Sequence, residues 1–220
     1  MIHTVLICWH NPDQTLLRWE RDVLPGLQQY QHPFCITVMD NSPQHSQMLA
    51  DYFKEDYVWN GGENTLYGGA LNVAVLRRPS FAVLYVCSRH GRSLDHSWVT
   101  DIISPMYADS EVGQCGHLRG SNSPGGVAHD TGCEWVKDAY HFDDGVHQHV
   151  QGGVFAARTD LMRRFPYPPG LLHMYSDHRL TWAIEKAGYK ASDVPSIISV
   201  WRDKAKPHER VGRKFVHEEE

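Results

Sequence analysis

FCITVMDNS, residues 34–42, is the stretch on which the reading of this chain turns. Residues 34–39 form an apolar run without the alternation of a half-exposed strand, so a strand buried on both faces is expected. Asp40-Asn41-Ser42-Pro43 closes the run with turn-forming side chains. Working outward, two more runs match it. Residues 2–9 (IHTVLICW) lead into His10-Asn11-Pro12, and residues 81–87 (FAVLYVC) are the most strand-like segment of all. Between the first two, Leu16, Leu17, Trp19, Val23, Leu24 and Leu27 recur at helical spacing, with Asp13 as N-cap and Pro25-Gly26 as the stop. A helix around 44–55, a short strand at 57–59, a loop at 60–64 and a helix from Gly68 to Leu76 complete the half. Helices alternating with fully apolar strands imply an α/β fold, a mostly parallel sheet covered on both faces.

The second half is less regular. A helix from Trp98 to about Tyr107 precedes a strand near 112–114. Residues 116–149 hold many Gly, His, Asp and Ser and few aliphatics, and read as a long functional loop. A strand at 152–157, a short helix at 160–165, a helix over 176–187 stopped by Gly188 and a final strand from Val194 to Trp201 follow. The expected organisation is one domain, 1–220. Residues 1–110 form one half, 111–200 a second, and 201–220 a basic tail. Residues 202–214 set six Lys/Arg against two acids.

Composition excludes several classes. With 41% apolar and 21% charged residues among 220, a core can form without staples. The formal charge of -5 gives no global basic field for nucleic acid. Five Cys lie far apart with no CxxC pair, so a zinc ribbon is not expected and a reducing cytoplasm is the simplest compartment. MIHTVLICWHNP lacks a charged leader, and no run approaches the roughly 18 apolar residues of a membrane span.

Chemistry concentrates in four places. Asp40-Asn41-Ser42 ends a strand, and open parallel sheets bind ligands beyond their carboxyl ends. The same residues also suit a plain Asx turn. In Asn64-Thr-Leu-Tyr-Gly68-Gly69-Ala-Leu-Asn72, paired glycines at a helix start let backbone N–H groups approach a phosphate. Asn72 fits either a polar contact or a packing amide.

Together these segments resemble the inverting family-2 glycosyltransferases of the GT-A fold, with a Rossmann-like sheet. The resemblance covers roughly residues 3–105 and 150–200. In that family a Tyr-Asn-Arg-like turn stands where this chain has Trp9-His10-Asn11. An Asp-Asn-Ser-like motif and an Asn-x-Gly-x-Gly-x-x-Asn-like segment follow. The resemblance implies a nucleotide-sugar donor, UDP by family habit. Asp40 would contact uracil or ribose, Asn64, Gly68, Gly69 and Asn72 would lie near the nucleotide or its diphosphate, and Trp9 and His10 would flank the base.

The family's Asp-x-Asp, which holds a divalent metal (Mn or Mg) on the diphosphate, is here Ser88-Arg89-His90. Three accounts stand open. His90 ligates a Mn-like ion, Arg89 or Arg92 neutralises the diphosphate without metal, or the site is dead. Asp95 reads as a turn or cap residue.

In His173-Met-Tyr-Ser-Asp177-His178, Asp177 aligns with the family's general base, Ser176 replaces the acid before it, and a helix-capping Asp is the other reading. His178 is an alternative base, although i+1 should point it to another side of the helix. Gln151-Gly152-Gly153 matches the strand that floors the acceptor site. His208 is the nearest counterpart of a C-terminal metal or diphosphate histidine. The acceptor stays open. Polysaccharide, lipid-linked glycan and protein are all candidates, as is, given the Arg-rich 89–92 and 202–214 segments, a hydroxymethylated base in viral DNA. A non-catalytic nucleotide-sugar- or glycan-binding relic is the remaining alternative.

Overall fold

The computed structural model describes residues 1–88, 95–121, 147–167 and 176–197. Seven strands form one sheet in the order β3-β2-β1-β4-β6-β5-β7. They are β1 (Ile2–Cys8), β2 (Phe34–Asp40), β3 (Tyr57–Trp59), β4 (Ala82–Cys87), β5 (Val112–Ser121), β6 (His147–Arg158) and β7 (Lys190–Asp193). β1 pairs in parallel with β2 and β4, β2 with β3, and β5 with β7, while β6 runs antiparallel to both β4 and β5. The α/β single domain with a mostly parallel sheet is therefore as expected.

The helices are α1 (Pro12–Arg18), α2 (Leu24–Tyr30), α3 (Gln47–Phe53), α4 (Leu66–Arg77), α5 (Trp98–Ala108), α6 (Thr159–Arg164) and α7 (Ser176–Lys186). They cover both faces. On one, Ile2, Leu6, Leu84 and Val86 pack with Val23, Leu27, Trp98 and Ile102. On the other, Val5, Ile7, Val83 and Tyr85 pack with Leu71, Ala74, Leu161 and Ile184. Every residue of β1 and β4 is buried, which is why these strands read as unbroken apolar runs. No helix among the described residues is long and apolar enough to cross a membrane.

Several boundaries differ from the sequence reading. The first helix does not stop at Pro25-Gly26. A π turn, Trp19–Val23, joins α1 to α2, and Pro25 falls in the first turn of the resumed helix, where its missing N–H is not needed. Gly26 is packing rather than a stop, since a Cβ there would overlap the Trp98 indole. Asn11, not Asp13, caps α1, because Pro12 occupies the first turn and Asn11 Oδ1 accepts from Gln14 N at 3.0 Å. The helix at 44–55 shortens to α3 and a 3₁₀ turn, Lys54–Asp56.

The long loop is trimmed at both ends, because β5 runs to Ser121 and β6 begins at His147. The expected strand at 194–201 is not strand over 194–197, and residues 198–201 lie outside the described residues. Among the described residues the last strand is the polar β7, tolerated because it is a sheet edge bonded only to β5, while Val194 and Ile197 tuck into the first core.

Candidate functional site

The carboxyl ends of β1, β2, β3 and β4 face one edge of the sheet. Asp40 at this edge is fully buried. Its Oδ1 accepts from Ser42 N at 2.9 Å, the Asx turn, and its Oδ2 accepts from the Tyr57 hydroxyl at 2.7 Å. Burial, reinforced by this bond to a carboxylate, keeps the Tyr57 proton on well above the ordinary phenol range.

Asn41 is the hub beside it. Its Nδ2 donates to Leu66 O at 3.1 Å, and its Oδ1 accepts from Asn60 Nδ2 and from Thr65 Oγ1. Asn64 Oδ1 accepts from Leu66 N at 3.0 Å. The strand-end motif thus pins the entry of α4, which begins at Leu66, two residues before Gly68. Gly68 and Gly69 consequently lie inside the first turns of α4, not ahead of it.

His10 and Leu66, both at this rim, hold positive φ values of 56° and 54°. Such conformations in residues with a Cβ store strain and cluster at binding edges. His10 is exposed, and Trp9 meets it edge-on while packing against the second core. Sequence reasoning did not single out His45, Tyr57 and Trp59. His45 sits edge-on to both rings, and Trp59, 38% exposed, donates its indole N–H to Ser42 O. An aromatic pair ending a strand that pairs with the Asp40 strand was the available signal.

Asn72 uses its whole amide on one partner. Nδ2 donates to Tyr167 O at 2.8 Å and Oδ1 accepts from Tyr167 N at 2.9 Å. In this structure it is a clamp between α4 and the segment after α6. Ser88 is buried at the end of β4, its N–H reaching Ile7 O. Asp95 caps Ser97 through N and Oγ, as a turn residue should. Arg89, His90, Arg92 and His208 lie outside the described residues, as do the 202–214 segment and residues 122–146 of the long loop.

A second centre lies where β6 passes the end of β4. β6 extends beyond its pairing with β4, at Val154, toward the same carboxyl edge. There Asp177, in the first turn of α7, receives Gly152 N on Oδ2 at 3.1 Å and His178 N on Oδ1 at 3.0 Å. Its side chain is 22% exposed, with His149 Nε2 3.7 Å from Oδ2. His149 and His178 are buried and stacked, with ring centroids 3.4 Å apart.

Thr181 Oγ1 accepts from Val150 N at 3.1 Å and lies 2.9 Å from Gln114 Oε1, tying β5, β6 and α7 at one point. Gly152 is required by this approach, because a Cβ would stand 3.2 Å from Asp177 Oδ2 and from its Cβ. Two expectations change here. His178, one residue on, still brings a ring nitrogen within 4.8 Å of the Asp177 carboxylate, with its ring stacked on His149. His149, read as loop, is strand; the alternating His147, His149 and Gln151 before paired glycines were its signal.

No sequence-family model matches the chain, and no curated protein matches it. Solved structures do. A mannosyltransferase from Pyrobaculum calidifontis, in complex with GDP-Man and Mn2+, superposes with TM-score 0.62 at 15% identity, over 98% of this chain and 61% of that one. Glucosyl-3-phosphoglycerate synthase from Mycobacterium tuberculosis with phosphoglyceric acid gives TM-score 0.62 at 15% identity, over 96% of this chain and 74% of that one. The same enzyme with Mn2+, UDP-Glc and phosphoglyceric acid gives 0.57 at 14%. The chain thus spans about three fifths of the mannosyltransferase's length. At these identities the likeness establishes the fold, and that fold is GT-A.

Proposed function

We propose that this GT-A chain is an inverting glycosyltransferase that moves a sugar from a nucleotide-sugar to an acceptor hydroxyl, with Asp177 as general base. One observation carries the reading. A partly exposed carboxylate, oriented by two backbone N–H groups, stands on the ligand-binding edge of a sheet whose structural neighbours hold GDP-Man or UDP-Glc. The nucleoside would bind along Asp40, Asn41 and the start of α4, with Trp59, Trp9 and His10 as aromatic walls. UDP is the first donor to try.

In the transfer, Asp177 takes the acceptor proton, the acceptor oxygen bonds to the anomeric carbon, and that carbon's bond to the diphosphate oxygen breaks. The nucleoside diphosphate leaves with the electron pair, and the anomeric configuration inverts. Leaving-group charge falls to the α4 N-terminus and to Arg89 or Arg92.

For a divalent metal on the diphosphate, the candidate ligands His90 and His208 lie outside the described residues. Ser88 is buried with its backbone bonded, Asp95 is engaged by Ser97, and neither position after Ser88 is a carboxylate. No step is therefore assigned to it. The same missing carboxylates favour a second reading, a nucleotide-sugar-binding relic.

Sugar transfer from a donor panel, with the product anomer read by NMR, tests the proposal. Asp177→Asn should lower kcat by about 10²–10⁴-fold while leaving donor binding intact. A retained anomeric configuration, or full activity in Asp177→Asn, would overturn it. Tight UDP binding without turnover, with or without Mn²⁺, would establish the relic.

A further inference from the structure

We propose that His149, Asp177 and His178 form a binding site for a borderline transition-metal ion such as Zn²⁺. Each residue offers one ligand atom, and the three atoms lie within 4.8 Å of one another. Two imidazoles and one carboxylate are a donor set that suits zinc-like ions, whereas Mg²⁺ demands oxygen. The site is also built rather than accidental. Both histidines are buried, on a strand and a helix fixed to each other through Thr181. Asp177 is held by Gly152 N and His178 N, which leave lone pairs on both oxygens for an ion.

Tetrahedral ligation needs donor atoms about 3.3 Å apart, so the set must converge by an ångström or so. Binding therefore requires the two stacked rings to turn apart about their χ angles. The negative Asp177, its side chain 22% exposed, offsets part of the ion's charge. Three protein donors leave coordination positions open, where water or an acceptor oxygen completes the shell. The proposal shares Asp177 with the base assignment but does not depend on transfer activity.

The test uses the full chain, freed of metal by a chelator, and needs neither donor nor acceptor. Zn²⁺ and Mg²⁺ are titrated by calorimetry and by thermal unfolding. One Zn²⁺ should bind per chain and raise Tm, because a ligand held by the native state alone must stabilise it, and Mg²⁺ should do neither. His149→Ala and His178→Ala should each weaken Zn²⁺ binding by at least about 100-fold, since replacing even an outer partner of a metal ligand costs 10–100-fold. Exposed His32→Ala, a control among fifteen histidines, should bind as the parent does.

If the alanine variants do not fold, Co²⁺ added to the parent chain substitutes as a spectroscopic probe. Its visible bands should report nitrogen ligation and change in Asp177→Asn. Absence of Zn²⁺ binding, equal binding in His149→Ala, or Co²⁺ bands untouched by Asp177→Asn would overturn the site. Full transfer activity in Asp177→Asn with Zn²⁺ binding lost would instead count against the base assignment alone.

Discussion

Gly152 shows how much one residue decides. Its missing side chain lets β6 pass within hydrogen-bond reach of Asp177, and a methyl group would meet the carboxylate at 3.2 Å, tighter than ordinary contact. Gly152→Ala should therefore shift Asp177 by a few tenths of an ångström or remove its backbone donor. We expect turnover to fall by about 10–100-fold, since small displacements at a reacting centre cost that much. Steady-state kinetics beside thermal unfolding checks this. Turnover equal to the parent would show that the Gly152 contact does not position Asp177. Asp40 teaches the reverse lesson at the same scale. Its two readings, ligand contact and Asx turn, are not exclusive at the level of the backbone. The turn is present, and through Tyr57 the same carboxylate also anchors the neighbouring strand.

Among elements, the join between α1 and α2 carries the sharpest consequence. Arg18 and Asp22 are both buried, and Asp22 accepts from Arg18 and from Arg21, with Arg21 Nη2 at 2.6 Å. Asp22 O, in the same π turn, accepts from Trp98 Nε1 at 2.9 Å, which docks α5. Removing one partner of a buried pair leaves the other charge uncompensated. Asp22→Asn should cost about 3–5 kcal/mol in urea denaturation, whereas the exposed Asp160→Asn, partner of Arg158, should cost about 1 kcal/mol or less. A loss below about 1 kcal/mol for Asp22→Asn would mean that Arg18 reaches water or another anion. The π turn itself was not visible in the spacing of Leu16 to Leu27, because the apolar residues on either side of it are too few to fix a phase for each helix separately.

At the scale of the whole molecule, His3 couples folding to pH. It is buried between β1 and β2, with Nε2 2.9 Å from Thr37 Oγ1. Burial, helped by Arg78, Arg77 and Arg163, lowers its pKa from 6.5 to about 4. The folded chain therefore resists a proton that the unfolded chain accepts. The stability linked to His3 is complete above pH 6.5 and is lost as pH falls toward 4, a change on the order of 3 kcal/mol. Denaturant unfolding of parent and His3→Gln across that interval should show a slope shallower in the variant by this amount. Identical slopes would place the proton elsewhere.

By itself, the amino-acid order determined the sheet and its edge. Largely apolar runs at 2–9, 34–39 and 81–87 mark the strands, buried throughout in β1 and β4 and over the second half of β2, and Asp40 marks where one of them ends. It also pointed to Asp177, though not to its company. Three things belonged to the tertiary structure alone. Residues 147–150 became strand because they pair with residues 118–121 of β5, beyond the end of the β4 pairing. Residues 190–193 became an edge strand, where polar residues are tolerated, while Val194 and Ile197 joined the core. His149 met His178 and Asp177 across 28 residues because Thr181 binds α7 to β6. Periodicity reports which face of one element is buried. It carries nothing about which two elements meet, and this chain's metal-binding chemistry is proposed at such a meeting.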